Sequence, residues 1–415
     1  MSWIQDKAQA GLERIREAQE KQVYPYFRAF ESGGLHTTID GKPVVNFSSN
    51  DYLGLTTHPK VKEASIAAVK KYSCGLGSSR VQATTTAHVE LEERLAAWFG
   101  FEKCLVFTTG YQAMVGTIMA LADRDTTLVL DSLSHACILD GTFAAAGTPR
   151  NGPEIRFFNH NSPRALKRIL GKREREKAMI LLEGIYSLDG DEARIHELLE
   201  VAEADEKAVV VCDDAHGTGT LGKGGRGIIE KYGLEGRIPV VISTFSKTFG
   251  GIGGILLGDA ETVDFIKHQA RSFLFSASLP VPLVAAASTI LDMLEDHGEE
   301  LVAELHDKSA YMRKGLTDLG FDLGLSDTHI MPVMCREERK ALFTHVAMLE
   351  SGVMMVPITY PAVKRGEERL RLNVTRGHSK EDIDQAVELL GVYGNAFFIL
   401  GGDELEPMPE SPAAE

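Results

Sequence analysis

Two stretches decide the fold: Val209-Val-Val-Cys-Asp-Asp-Ala-His216 and Val240-Val-Ile-Ser-Thr-Phe-Ser-Lys247. Each is a short apolar run without polar alternation, as expected of a strand buried on both faces. Each ends abruptly in residues that carry chemistry. Working outward, the same pattern recurs at Leu105-Val-Phe107, Thr127-Leu-Val-Leu130 and Met179-Ile-Leu-Leu182, with helical stretches between. Alternation of this kind predicts a mostly parallel central sheet with right-handed crossovers and helices on its flanks, an α/β fold. Ligands of such sheets bind beyond the carboxyl ends of the strands. The polar residues stand there: Asp131-Ser-Leu-Ser-His135, Glu183, Asp213 with His216, and Thr244 to Lys247.

The flanks divide the chain. Residues 2–22 read as a helix with Ile4, Ala8, Leu12 and Ile15 on one face, expected to dock on the body or a partner subunit. A hairpin is expected around Asp40-Gly41, and a long helix from Pro280. The organisation predicted is an N-terminal helix with small strands over 1–59, a large domain over 60–294 and an α+β C-terminal domain over 295–398. The tail, 399–415, is expected to be disordered: five acids and three prolines crowd it.

Composition narrows the function. A formal net charge of -15 over 415 residues argues against a nucleic-acid partner, which needs a basic face. The five cysteines are scattered, odd in number and without CxxC spacing, so neither a zinc site nor a disulfide framework is expected, and no metal. The opening Met1-Ser-Trp-Ile-Gln-Asp predicts no signal peptide, and no run approaches the roughly 18 apolar residues of a membrane span. A cytoplasmic protein is the expectation. Gly222-Lys-Gly-Gly-Arg-Gly227 satisfies GxGxxG literally, but it lies well past its strand and deep in the chain, so an irregular turn is expected in place of a dinucleotide site.

The ordered set Asp213, His216, Lys247 suits pyridoxal phosphate (PLP). Such chemistry needs a buried amine of lowered pKa to bond the aldehyde. It also needs a carboxylate to keep the pyridine nitrogen protonated, so that the ring withdraws electrons. Taken singly, an Asp at a strand end caps a turn and a Lys after Ser is a solvated surface group; the combination favours the cofactor. His135 is placed to stack on a flat ring or to serve as a hydrogen-bonded structural histidine. Thr108-Thr-Gly-Tyr-Gln-Ala opens a helix whose free N–H groups suit a phosphate, with Thr109 as its cap. Arg369 and Arg371 share one face of a strand, fit for a substrate carboxylate or for solvent.

Those motifs in combination resemble the α-oxoamine synthases, fold-type-I PLP-dependent transferases acting as decarboxylating C-acyltransferases. The resemblance runs from about residue 20 to 395. It rests on Asn46-Phe-Ser-Ser-Asn-Asp-Tyr-Leu-Gly-Leu55, Ser134-His135, Glu183-Gly-Ile-Tyr-Ser-Leu-Asp-Gly-Asp191, Asp213-Asp-Ala-His-Gly-Thr-Gly219, Thr244-Phe-Ser-Lys247 and Arg271-Ser-Phe-Leu-Phe-Ser-Ala-Ser278. It implies that Lys247 carries PLP as a Schiff base and moves the Cα proton. Asp213 would pair with the pyridine nitrogen, His216 with the ring oxygen, and His135 would stack on the ring. Gly110, Tyr111 and Thr244 would bind phosphate, Ser276 would reach the phosphate of a neighbouring subunit, and Ser187 would line the cofactor. Asn50 and Arg371 would position the substrate carboxylate. The implied reaction joins serine, alanine or glycine to an acyl-CoA or acyl-carrier-protein thioester in a homodimer with shared active sites. Tyr24-Pro-Tyr-Phe-Arg28 and the 267–278 segment lean towards serine palmitoyltransferases of sphingolipid biosynthesis, the 47–52 and 213–219 segments towards 8-amino-7-oxononanoate synthase of biotin biosynthesis, and Thr359-Tyr-Pro-Ala-Val towards 2-amino-3-ketobutyrate CoA ligase. Gly75 to Thr84, expected near the acyl entry, follows none of these patterns. A non-catalytic subunit of a synthase heterodimer would typically lack the lysine retained here; an aminotransferase or aldolase would lack the 49–52 and 213–219 segments.

Overall fold

A computed structural model describes residues 2–147 and 152–401. The acidic tail lies, from residue 402 on, outside the described residues. Strands β1 (His36–Ile39) and β2 (Lys42–Asn46) form the expected hairpin across Asp40-Gly41. The central sheet follows: β3 (Lys103–Phe107), β4 (Thr126–Asp131), β5 (Glu154–Phe158), β6 (Lys177–Glu183), β7 (Ala208–Asp213), β8 (Val240–Thr244) and β9 (Gly254–Gly258). Their spatial order is β3-β9-β8-β7-β6-β4-β5, parallel except for β9, which runs against both its neighbours. Side chains alternate between two buried faces. Ile180, Leu182, Val210 and Val241 join one apolar cluster, while Met179, Leu181, Val211 and Ile242 join another. Burial on both sides explains why these runs carry no polar alternation.

The helix from Pro280 is Val281–Asp318, 38 residues long, so the 294/295 boundary falls inside it. It leads to β10 (Ile330–Met334), β11 (Val353–Met354), which pairs with β2, and β12 (Val356–Ile358). Strand β13 (Arg369–Asn373) lies between β10 and β12, so its arginines stand on a central strand. The N-terminal helix, Trp3–Glu20, opens with a capping box at Ser2. Its apolar face stays exposed in the single chain, with Trp3 at 73% and Ile4 at 59%. The 222–227 turn binds inward: Gly224 and Arg226 donate their N–H groups to the Glu230 carboxylate at 3.0 Å. A phosphate finds those donors already taken. No helix among the described residues is long and apolar enough to cross a membrane, and no group of three or more His, Cys, Asp or Glu side chains among them is arranged to hold a metal ion.

Candidate active site

Parallel strands bring their carboxyl ends to one edge of the sheet. A cleft of about 200 Å³ opens there. It is lined by Gly110 and Tyr111 after β3, His135 after β4, Asp213 and His216 after β7, and Thr244 and Lys247 after β8. Seven residues singled out from the sequence therefore share one cavity.

Asp213 and Glu183 are register partners on adjacent strands, so their side chains leave the sheet on the same face. Burial, reinforced by the charge of Asp213, pushes the Glu183 carboxyl well above its ordinary range. Asp213 accepts the Ala215 N–H at 3.0 Å through Oδ1; its Oδ2 receives only a long contact, 3.7 Å, from the Cys137 thiol. The Lys247 amine has no hydrogen-bond partner among the described residues, although its carbonyl accepts the Gly250 N–H at 2.9 Å. Burial lowers its pKa to about 8; Asp213 and Glu183 oppose the shift, and Arg371 adds to it. Burial also drives His216 well below the usual imidazole value, aided by Lys247 and Arg371.

His135 begins a helix, and its backbone N–H donates to Glu183 Oε1 at 2.6 Å. Its Nδ1 accepts the Cys137 N–H at 3.2 Å, which leaves the ring proton of the neutral form on Nε2. At Gly110–Leu121, Thr109 caps the helix by accepting the Gln112 N–H at 3.0 Å. The N–H groups of Gly110 and Tyr111, in the first helical turn, have no partner among the described residues. Gly110 is needed for space: a Cβ there would lie 2.9 Å from Thr244 Cβ.

Asn50 and Arg371 adjoin the cleft. Arg371 donates from Nε to the Ser187 carbonyl at 2.7 Å and from Nη1 to Asn50 Oδ1 at 3.5 Å. The same Asn50 oxygen accepts from Tyr52, whose hydroxyl also lies 2.6 Å from His216 Nδ1. A hydrogen-bonded chain thus joins Arg371 to His216. Ser187 contributes its carbonyl oxygen to Arg371 and is not among the lining residues. Ser276 accepts from Gln112 Nε2 at 3.0 Å, also outside the lining. The sequence assigned no role to Glu183, Cys137 or Tyr52, although the first stood at a strand end and the second two residues past His135. Tyr52 touches His216 across 164 residues of chain, a pairing no local pattern signals.

The donor set fits pyridoxal phosphate. An unpartnered amine of lowered pKa suits the aldehyde, the open Asp213 oxygen suits the pyridinium, and the free helix N–H groups suit the phosphate. The aminotransferase class I and II family matches residues 42–390. An 8-amino-7-oxononanoate synthase of Thermoanaerobacter pseudethanolicus is 37% identical over 393 residues, covering 94% of this chain and 97% of the relative. A serine palmitoyltransferase of Bacteriovorax stolpii is 35% identical over 382 residues, covering 91% and 89%. Among solved structures, the serine palmitoyltransferase of Sphingomonas wittichii superimposes with a TM-score of 0.88 at 30% identity, covering 94% of this chain and 99% of that one. This chain belongs to the aminotransferase class I and II family, within its α-oxoamine synthases, and its cofactor is pyridoxal phosphate.

Proposed function

We propose that this enzyme condenses a small L-amino acid with an acyl thioester, releasing CO2 and free thiol and yielding an α-amino ketone. The observation that carries the reading is the unpartnered Lys247 amine in a cleft shared with Asp213, His216 and His135. Pyridoxal phosphate supplies an electron sink for negative charge at the amino acid's α-carbon. Lys247 removes the Cα proton and later returns one, a role that suits an amine titrating close to neutrality. The α-carbon attacks the acyl carbonyl, and the thiolate leaves. Asp213 would keep the pyridine nitrogen protonated, and His216 and His135 would help hold the ring. Gly110, Tyr111 and Thr244 would hold its phosphate. Arg371 and Asn50 clamp the amino acid's carboxylate until it departs as CO2.

The active form we propose is a homodimer, with Ser276 turned to the neighbouring subunit's cofactor phosphate and Ser187 beside the ring. Exposed apolar residues support it, Phe275 at 75% and Trp3 at 73%. The reading leans towards a serine palmitoyltransferase-like long-chain enzyme; the 37% identical relative favours an 8-amino-7-oxononanoate synthase-like one as the second reading. The test combines palmitoyl-, pimeloyl- and acetyl-CoA with serine, alanine and glycine and follows thiol release. One pair is expected to dominate, and its release to vanish in Lys247→Ala. Amino-group transfer to a keto acid, with no thiol released by any pair, would refute the condensation.

A further inference from the structure

His160 follows the edge strand β5, outside the cleft lining. Its ring is 15% exposed and stands between two carboxylates: Nδ1 is 2.9 Å from Asp131 Oδ1 and Nε2 is 2.9 Å from Asp191 Oδ2. Tyr186 meets the ring edge-on at a centroid distance of 4.4 Å. Ionised carboxylates only accept, so both ring nitrogens must donate, and the imidazole carries both protons. Burial by itself would lower its pKa; the bonds to Asp131 and Asp191 outweigh that and hold it up to about 10.

The two carboxylates belong to neighbouring segments beside the cleft: one leads to His135, which lines it, and the other closes the loop of Ser187, which holds Arg371. Asp131 ends β4 and takes the Leu133 N–H at 2.9 Å, shaping the turn that delivers His135. Asp191 accepts Asn161 Nδ2 at 2.7 Å, and its carbonyl takes the Tyr186 N–H at 3.0 Å, closing the loop whose Ser187 carbonyl holds Arg371. The 131–135 turn and the 184–191 loop follow neighbouring strands of the sheet.

We infer that His160 is a positioning residue that ties the loop bearing His135 to the loop that seats Arg371, through simultaneous bonds to Asp131 and Asp191. With the tie intact, the histidine over the cofactor and the arginine for the substrate carboxylate keep one relative placement. Without it, two buried carboxylates face each other with no cation between them, and only neutral bridges remain: the Tyr186 hydroxyl and the Asn161 N–H donate to Asp131 Oδ2, and Asn161 Nδ2 donates to Asp191. This rests on the assignment of His135 to the cofactor and Arg371 to the amino acid.

The test is His160→Gln in the holoenzyme, with Asp191→Asn as the milder variant should the first fail to fold. In the variant that folds, the visible circular dichroism of the bound cofactor should fall to half or less. The KM for the amino acid should rise about tenfold or more while the KM for the acyl thioester holds. A dichroism band and an amino-acid KM like those of the parent, with only the melting temperature lowered, would overturn the inference. Wild-type thiol release reports separately on the underlying function, so its failure is distinguishable from failure of the tie.

Discussion

Lys247 offers the most direct test of the site's electrostatics. An ordinary lysine titrates near 10.5, and burial in the cleft brings this one to about 8. At pH 7.5 an amine with a midpoint of 8 is about one quarter unprotonated, against about one in a thousand for a midpoint of 10.5. The apoenzyme's amine is thus roughly two hundredfold more available than a surface lysine at that pH. The sign follows from the charge: the free base gains about tenfold per pH unit below 8 and levels off above it. Competitive acylation of the apoenzyme across pH 6–11, with the Lys247 peptide quantified by mass spectrometry, measures this without any cofactor. Arg371→Gln removes a neighbouring positive charge and should move the midpoint up; Asp213→Asn removes a negative one and should move it down. A wild-type midpoint above 10, or the two substitutions shifting it in the same direction, would refute the reasoning.

Three further outcomes follow from the geometry. Gly110→Ala should weaken cofactor binding about tenfold or more, because overpacking against Thr244 costs roughly 1–3 kcal/mol and Thr244 is itself bonded to the Gly253 carbonyl at 2.8 Å; fluorescence titration of the apoenzyme measures it. Arg371→Lys should raise the amino-acid KM by about 10–100-fold with little change for the thioester, since a lysine cannot bond Ser187 and grip a carboxylate at once; steady-state kinetics with each substrate varied separates the two. His160 titrates at about 10 in the fold, above its ordinary 6.5, so its stabilising contribution is complete below 6.5, declines as pH rises and is gone past 10. The melting-temperature advantage of wild type over His160→Gln should therefore shrink between pH 7 and 10; a constant gap would show that the ring is not charged. The groups facing that ring are Asp131 from β4, and Asp191 and Tyr186 from the loop after β6.

Five strands of the central sheet were legible as apolar runs, because burial on both faces removes polar alternation and leaves polar residues mostly at the strand ends. The other two were not. Strand β5 lies at the sheet's edge and carries Arg156 and a 45% exposed Phe157, so its pattern blurs. Strand β9 begins at the end of Gly250-Gly-Ile-Gly-Gly254, a glycine-rich stretch with no apolar run to announce a strand, yet Gly254 pairs with both Phe107 and Thr244. A Cβ at Gly254 would sit 2.4 Å from the Thr109 carbonyl oxygen, so this glycine serves close packing.

The amino-acid sequence alone determined where the strands end and which chemical groups stand at those ends, because hydrophobic periodicity and residue type are local properties of the chain. Lys247, Asp213, His216 and His135 were readable on that basis. Only the tertiary structure decided that Glu183 lies beside Asp213, that Tyr52 reaches His216, and that His160 joins two loops. Those relations depend on strand register and on contacts between residues distant in the chain. They are set by how the elements pack together, and no local pattern encodes them.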